Sequence, residues 1–245
     1  MPLISIITVT YNAEKFIESS IQSVLSQNAT NYEYLMIDGG STDKTIEIIR
    51  KYKEKVNLFI SEPDEGIYDA MNKGINSAKG SYLFFLGADD TFFNKETLHN
   101  IAKILINKKP DLLIGLIKYD TGRLFNSCFG FKTLLHNTIH HQGSFYNKTL
   151  FNDFRFDINY KLIADYELNL KIYLNRNNYH IIFTKYIISL CGEGGESRTQ
   201  LNNAYRETNQ IRDKLLGRKS IVYKVLYKIK FLLGRCLTNV KAENN

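Results

Sequence analysis

Residues 81–90, with the sequence SYLFFLGADD, join an apolar segment to two carboxylates, Asp89 and Asp90. The apolar run at 82–86 is too short for a globular helix and has the length of a strand that is buried on both faces. Two adjacent carboxylates at a strand end repel each other unless a cation or a basic group lies between them. Mg²⁺ and Mn²⁺ prefer oxygen ligands and commonly bind one or two carboxylates together with phosphates. The pair indicates a metal site or, alternatively, an acidic turn that caps a helix starting near Lys95.

Polar residues also follow the other predicted strands. Thr10, Tyr11 and Asn12 close the first strand, Asp38 closes the second, and an acidic segment at 62–69 follows the third. The carboxyl ends of parallel strands meet along one rim, where open α/β sheets bind ligands. We therefore expect segments 8–12, 38–43, 62–69 and 87–90 to line one cleft.

These segments are positioned by a regular alternation of strands and helices up to about residue 107. Strands are predicted at 3–10, 32–38, 57–61 and 81–86, and helices at 13–27, 45–52 and 68–78. This order predicts right-handed crossovers and a parallel sheet. After Pro110 the pattern changes to strands or extended segments at 112–117, 123–131, 140–146 and 180–184, with helices at 164–176 and 201–216. The sequence predicts a domain over 1–199, divided at 109/110, and a helical tail over 200–245.

The chain has 245 residues, 44% of them hydrophobic, which is enough for one large domain. The N-terminus lacks the basic region of a signal peptide, and no apolar run approaches the ~20 residues that span a bilayer. The three cysteines are far apart, as expected of structural thiols in a reducing cytosol. Of the net charge of +7, eight Lys or Arg residues lie between 214 and 241 without an acidic residue. The near-neutral body argues against a nucleic-acid-binding protein.

Five motifs occur in order along the chain: ISIITVTYN, IDGGSTDKT, EPDEGIYDAMNKGINSAKGSYLFFLGADD, HHQGSFYNKTLF and ADYELNLKI. Together they resemble the family-2 inverting glycosyltransferases with a GT-A fold, in particular bacterial enzymes that assemble O-antigen, capsule or exopolysaccharide. The resemblance spans about residues 3–198. It implies an α/β fold with a mainly parallel central sheet flanked by helices, followed here by an amphipathic tail.

The resemblance implies a nucleotide-sugar donor, most simply a UDP-sugar. It assigns donor-binding roles to Thr10, Tyr11, Asn12, Asp38, Asp64, Asp69, Asn72, Lys73, Asp89 and Arg198. In this assignment Tyr11 stacks on the base, Asp38 accepts a hydrogen bond from the uracil N3–H, and Arg198 binds the pyrophosphate. Turn formation remains the alternative for Asn12 and Asp38, a helix-dipole interaction for Asp64 and Asp69, and a flexible connection for 192–198.

The same resemblance implies Mn²⁺ or Mg²⁺ bound by Asp90, with Asp89 contacting the metal or the ribose. Many relatives have a third Asp where Gly87 stands and an Arg where Met71 stands. Asp165 matches the catalytic base, which deprotonates the acceptor hydroxyl; the alternative is a helix N-cap. Glu167 is the second choice for the base.

His141 and Gln142, with Glu167, are predicted to contact the acceptor or the donor sugar. Since adjacent residues of a strand point to opposite sides, at most one of His140 and His141 is expected to face the cleft. A core or surface histidine is the alternative.

The tail places Val222, Val225, Leu226 and Ile229 on one apolar stripe that continues through Leu237. A basic amphipathic helix is typical of membrane-surface binding, whereas packing on the body or on a second subunit is the alternative. The resemblance implies an inverting, metal-dependent transferase of glucose, galactose or their N-acetyl forms. With the basic tail, it leads us to expect a saccharide on undecaprenyl diphosphate as the acceptor, at the cytoplasmic face of the membrane. A nucleotidyltransferase of similar fold is the other enzymatic class, but the sequence lacks a basic glycine-rich loop after the first strand.

Overall fold

The computed structural model of the protein describes residues 1–192 and 199–229. Within these residues the strands are β1 (Ile4–Thr10), β2 (Tyr32–Asp38), β3 (Leu58–Ser61), β4 (Tyr82–Gly87), β5 (Thr91–Phe92), β6 (Leu112–Tyr119), β7 (Leu124–Asn126), β8 (Ser144–Asn147) and β9 (Ile181–Cys191). The helices are α1 (Ile17–Leu25), α2 (Thr45–Arg50), α3 (Ile67–Ser77), α4 (Thr97–Lys108), α5 (Ala164–Leu174) and α6 (Leu201–Leu216). All the strands belong to one sheet in the order β3-β2-β1-β4-β8-β6-β9-β5, with β7 paired to β6.

The first half of the sheet is parallel, as the alternating sequence pattern predicts. β1 pairs with both β2 and β4, and β2 pairs with β3. All seven residues of β1 are buried, which fits a β-branched strand covered by helices on both faces. The register places Thr10 opposite Asp38 and Asp38 opposite Ser61, so the strand ends form one rim.

The second half of the sheet is mixed. β8 runs antiparallel to β4 and to β6, whereas β9 runs parallel to β6 through a bulge. The predicted strand at 140–146 is wrong at its start, because His141–Gly143 form a 3-10 turn and β8 begins at Ser144. β9 is longer than predicted and β7 is shorter.

Aromatic rings join the two halves beneath the rim. Phe84 of β4 stacks on Phe145 of β8, with ring centroids 4.5 Å apart, and on Phe92, at 5.1 Å. On the other face Phe85 meets Tyr146 and Phe151 edge-on. Because fully buried aromatic side chains contribute large apolar areas, β4 is a rigid support for the residues that follow it.

The C-terminal elements pack on the second half. α6 buries Ile211 in the same core as α5, and residues 220–229, here called the tail helix, follow it. Tyr227 of the tail helix stacks on Tyr205 at 5.2 Å between ring centroids. α6 is thus part of the folded body. In the described ranges, 1–192 and 199–229, the structure contains no helix that is long and apolar enough to cross a membrane.

Candidate active site

Asp89 and Asp90 lie just beyond β4, on the rim of the sheet. Asp89 is exposed, whereas Asp90 is 2% exposed and accepts hydrogen bonds from Gln142 Nε2 at 3.0 Å and from the Gly87 N–H at 3.2 Å. Burial and, next, the charge of Asp89 raise the pKa of Asp90 to about 6. The site therefore favours added positive charge beside Asp90.

Gly87 is required by this arrangement of carboxylates. A Cβ at position 87 would lie 2.4 Å from Oδ2 of Asp90 and 3.0 Å from Oδ1 of Asp89. The glycine therefore lets both carboxylates fold back toward the strand end.

The donor set at this position fits a hard divalent cation. It offers the exposed carboxylate of Asp89 and the buried carboxylate of Asp90. Burial and the charge of Asp89 raise the pKa of Asp90. Mg²⁺ and Mn²⁺ sites commonly use one or two carboxylates and complete their shell with water and phosphate oxygens. Within residues 1–192 and 199–229 no group of three or more His, Cys, Asp or Glu side chains forms a metal cluster.

Asp165 lies in the first turn of α5 and is 7% exposed. Its Oδ1 accepts a hydrogen bond from the Tyr68 hydroxyl at 3.1 Å, and its Oδ2 accepts one from Asn137 Nδ2 at 2.9 Å. His141 Nδ1 lies 3.3 Å from the same Oδ2. Burial raises the pKa of Asp165, but the hydrogen bond and charge of His141 outweigh it, so that the pKa lies below its ordinary value.

Residues 140–142 connect Asp165 with Asp90. His141 contacts Asp165, and its charge also lowers the pKa of Asp90, to which Gln142 donates a hydrogen bond. His140 meets Gln142 Oε1 through Nδ1 at 2.5 Å and the Tyr119 hydroxyl through Nε2 at 3.3 Å. The 3-10 turn thus directs one histidine to the carboxylates and the other to the sheet.

Asp38, the predicted uracil contact, lies at the end of β2. It is fully buried, and its oxygens accept hydrogen bonds from the backbone N–H groups of Gly40 and Ser41 and from the hydroxyls of Ser41 and Ser61. These donors hold the turn after β2. Asp38 thereby fixes the shape of the rim, and its contact with uracil stays a prediction.

The end of β1 is locked to the same turn. Asn12 has a left-handed backbone (φ 48°), its N–H donates to Ser41 Oγ at 2.8 Å, and its Oδ1 accepts from the Thr42 N–H at 2.9 Å. Thr10 is buried and its carbonyl accepts from the Gly39 N–H. Tyr11 is 63% exposed between them, which leaves its ring available to a planar ligand.

The loop before α3 brings further carboxylates to the rim. Asp64 Oδ2 lies where a side chain at Gly39 would begin, and its Oδ1 accepts from the Gly66 N–H at 2.9 Å. Asp69 accepts a hydrogen bond from the Glu65 N–H at 3.2 Å. Both acids are partly exposed, so they also remain accessible to a ligand.

Asn72 and Lys73 have partners in the protein. Asn72 exchanges two hydrogen bonds with the backbone of Phe156, at 2.8 and 3.0 Å. Lys73 Nζ lies 2.9 Å from Glu62, 3.5 Å from Asp69 and 3.1 Å from the Pro63 carbonyl. Asn72 thus ties α3 to the segment at Phe156, and its predicted contact with a nucleotide stays a prediction.

Glu167 is 2% exposed and forms ion pairs with Lys171 at 2.8 Å and with Lys214 at 3.0 Å. It therefore joins α5 to α6, and its predicted contact with a sugar stays a prediction. Arg198 lies outside the described residues.

Two contacts of Asp165 were absent from the sequence prediction. Tyr68 lies two residues after Gly66, the residue that precedes α3. Its segment, 62–69, was already expected to line the cleft. The contact of Asn137 could not be predicted from its sequence position, because it forms only when the loop between β7 and the 3-10 turn folds back onto α5.

The fold of the chain is that of GT-A glycosyltransferases. The crystal structure of Staphylococcus aureus TarS 1–349 in complex with UDP-GlcNAc superposes with a TM-score of 0.69 at 24% identity, covering 89% of this chain and 72% of that one. The mannosyltransferase PcManGT from Pyrobaculum calidifontis, in complex with GDP-Man and Mn²⁺, gives a TM-score of 0.61 at 20% identity, covering 88% and 62%. The fold prediction is confirmed.

The chain belongs to glycosyl transferase family 2, whose pattern it matches over residues 5–152. A PGL/p-HBAD biosynthesis glycosyltransferase of Mycobacterium bovis (strain BCG / Pasteur 1173P2) is 32% identical over 181 residues, 71% of each chain. The poly(ribitol-phosphate) beta-N-acetylglucosaminyltransferase TarS of Staphylococcus aureus (strain MW2) is 32% identical over 196 residues, 74% of this chain and 34% of that one. The predicted family is confirmed.

Proposed function

We propose that this glycosyltransferase is an inverting enzyme that moves a sugar from a UDP-sugar to a saccharide on a lipid diphosphate, with a β linkage in the product. The observation that carries the proposal is the contact set of residues 140–142, which joins the strand-end carboxylate Asp90 to the helix carboxylate Asp165. Asp90 suits the diphosphate of a donor, and Asp165 suits the hydroxyl group of an acceptor.

The donor is proposed to be UDP-linked. TarS, a relative that is 32% identical, has been crystallised with UDP and with UDP-GlcNAc, which supports this choice. Tyr11 would stack on the base, while Asp64 and Asp69 would line the base and ribose pocket. Glucose, galactose and their N-acetyl forms all remain candidate sugars.

Asp90 and Asp89 would hold Mn²⁺ or Mg²⁺, which supplies charge neutralisation for the departing diphosphate. Because its pKa is raised only to about 6, Asp90 is mostly deprotonated at neutral pH, and Gln142 fixes the orientation of its carboxylate. The PcManGT complex with Mn²⁺ supports a metal on this fold.

Asp165 is the proposed base. Its carboxylate accepts the proton of the acceptor hydroxyl while the acceptor oxygen forms a bond to the anomeric carbon. The bond from that carbon to the diphosphate oxygen breaks, and UDP leaves with its electron pair on the opposite face. Tyr68, Asn137 and His141 hold the carboxylate and stabilise its charged form. One displacement inverts the anomeric centre.

The acceptor is proposed to be an undecaprenyl-diphosphate saccharide of O-antigen, lipopolysaccharide or capsule synthesis, at the inner face of the cell membrane. The tail helix supports this, because Tyr223 and Tyr227 face the body while Ile221, Val222 and Val225 are more than half exposed. The exposed face, flanked by Arg218, Lys219 and Lys228, suits an anionic bilayer. Pairing of two such faces in a homodimer is the competing outcome.

A donor screen tests the proposal. The full-length protein is incubated with UDP-, GDP- and dTDP-sugars and Mn²⁺, and the slow release of each nucleoside diphosphate is measured. Release of UDP that ceases in EDTA supports the assignment. Use of a GDP- or dTDP-sugar alone would overturn the proposal that the donor is UDP-linked. Release of pyrophosphate from a nucleoside triphosphate would favour a nucleotidyltransferase.

A further inference from the structure

Glu207 of α6 caps the segment that leads into α5. It is 8% exposed, its Oε1 accepts a hydrogen bond from the Lys161 N–H at 2.9 Å, and its Oε2 accepts from the N–H groups of Leu162 and Ile163 at 3.0 and 3.2 Å. Ile163 occupies the N-cap position of α5 and provides no side-chain cap. A carboxylate from another helix therefore satisfies the donors that the local sequence leaves unpaired.

The capped segment touches both sides of the proposed site. Asp165 follows Ile163 by two residues, so a change in the backbone at 161–163 alters the entry of α5 and the position of its carboxylate. On the other side, Lys161 Nζ donates to the Glu65 carbonyl at 2.6 Å, next to Asp64 in the loop before α3. Glu207 thus fixes one strip of backbone between the donor side and the base.

We infer that Glu207 is a positioning residue, which sets the location of Asp165 relative to the donor by holding the 161–163 backbone. The inference rests on the proposed role of Asp165 as the base. It goes beyond that role because it places a determinant of turnover in α6, outside the cleft.

A purely structural cap would stabilise the fold without affecting Asp165. Lys214 provides the comparison, because it also joins α6 to α5, through Glu167 at 3.0 Å. Glu167 lies two residues after Asp165, and residues two apart do not share a helix face. Lys214→Met therefore loosens the same helix pair away from the carboxylate of Asp165.

The test compares full-length Glu207→Ala, Glu207→Gln and Lys214→Met. Two quantities are measured: the kcat and donor KM for transfer, and the ring ¹⁵N chemical shifts of His141, which report its hydrogen bond to Asp165. Glu207→Ala is expected to lower kcat by roughly 10- to 100-fold, the scale of a small misplacement of a reacting group. We expect little change in donor KM and a shifted His141 signal. Glu207→Gln, which keeps one acceptor oxygen, should fall between the wild type and Glu207→Ala, and Lys214→Met should resemble the wild type in both readouts.

A folded Glu207→Ala protein with the wild-type kcat and an unchanged His141 signal would overturn the inference. If Glu207→Ala does not fold, the same result with Glu207→Gln overturns it. An inactive wild type would instead refute the proposed function, and the His141 signal would still decide whether Glu207 positions Asp165.

Discussion

The two central carboxylates of the candidate site have opposite electrostatic surroundings. Burial and the charge of Asp89 raise the pKa of Asp90, whereas the contacts of Asp165 with His141 and Tyr68 overcome burial and lower its pKa. Pairs of acids whose surroundings separate their pKa values commonly have different roles in one reaction. Here the difference supports the proposal that Asp90 binds a cation and that Asp165, already deprotonated at neutral pH, accepts a proton.

Substitution of Asp165 tests the proposed base. Asp165→Asn keeps the size of the side chain and removes the proton acceptor, so turnover should fall by roughly 10²–10⁴-fold, the usual contribution of general base catalysis. UDP affinity, measured by titration calorimetry, should remain close to that of the wild type. Asp153→Asn, at an exposed carboxylate, is the matched control. A loss of UDP binding would place Asp165 on the donor side instead.

The raised pKa of Asp90 predicts opposite effects on stability and activity. A folded pKa of about 6 above an ordinary value of 3.8 means that this group's contribution to stability is present below pH 3.8 and is lost as the pH rises through 6. Asp90→Asn should therefore stabilise the metal-free protein at pH 7.5, on the order of 3 kcal/mol, while abolishing transfer. Denaturant unfolding in EDTA measures the first effect. A destabilised variant would contradict this electrostatic account.

The same pKa predicts the pH dependence of metal binding. A proton and a metal ion compete for Asp90, so Mn²⁺ affinity in the presence of UDP should weaken below about pH 6, by roughly tenfold per pH unit. Calorimetric titration with Mn²⁺ between pH 5 and pH 8 gives the profile. An affinity that stays constant across this range would indicate that Asp90 is not a ligand.

Some helices and turns could be predicted from periodic sequence patterns, whereas others depend on contacts that only the folded structure shows. In the tail helix the apolar stripe was predicted from spacing, and its described part is exposed while two tyrosines face the body. The 3-10 turn at His141–Gly143 could not be predicted, because a short turn before a strand leaves no periodic pattern. The partners of Asp38 and Asn72 could not be predicted either, because they are backbone groups brought in by a turn or remote in sequence.

Substitutions on the exposed face of the tail helix test membrane binding without disturbing the packed face. A double variant, Val225→Glu with Ile229→Glu, should lose binding to anionic vesicles in a sedimentation assay, because each change adds negative charge and removes apolar area. Turnover on a short soluble acceptor analogue should be unchanged. Leu201→Glu, at another exposed apolar position, is the control. Unchanged vesicle binding would locate the anchor elsewhere, and a shift from dimer to monomer would indicate a subunit interface.

For the whole molecule, strand–helix alternation predicted the parallel half of the sheet and the rim that carries Asp89 and Asp90. It could not predict how β8, β6 and β9 extend the sheet, since their pairing joins residues that are distant in the chain. The approach of Tyr68 and Asn137 to Asp165 depends on that pairing. The order of the five motifs along the chain identified the family. The hydrogen-bond partners of each carboxylate could be found only from the folded structure.

The proposed function depends on inversion of the anomeric centre of a UDP-sugar by one displacement with Asp165 as the base. The most direct measurement is the anomeric coupling constant in the proton magnetic resonance spectrum of the product formed from an α-linked UDP-sugar with a gluco or galacto configuration. We expect the large coupling of a β linkage, and we expect Asp165→Asn to form no more than a trace of this product. A product with the small coupling of an α linkage would contradict the proposed function.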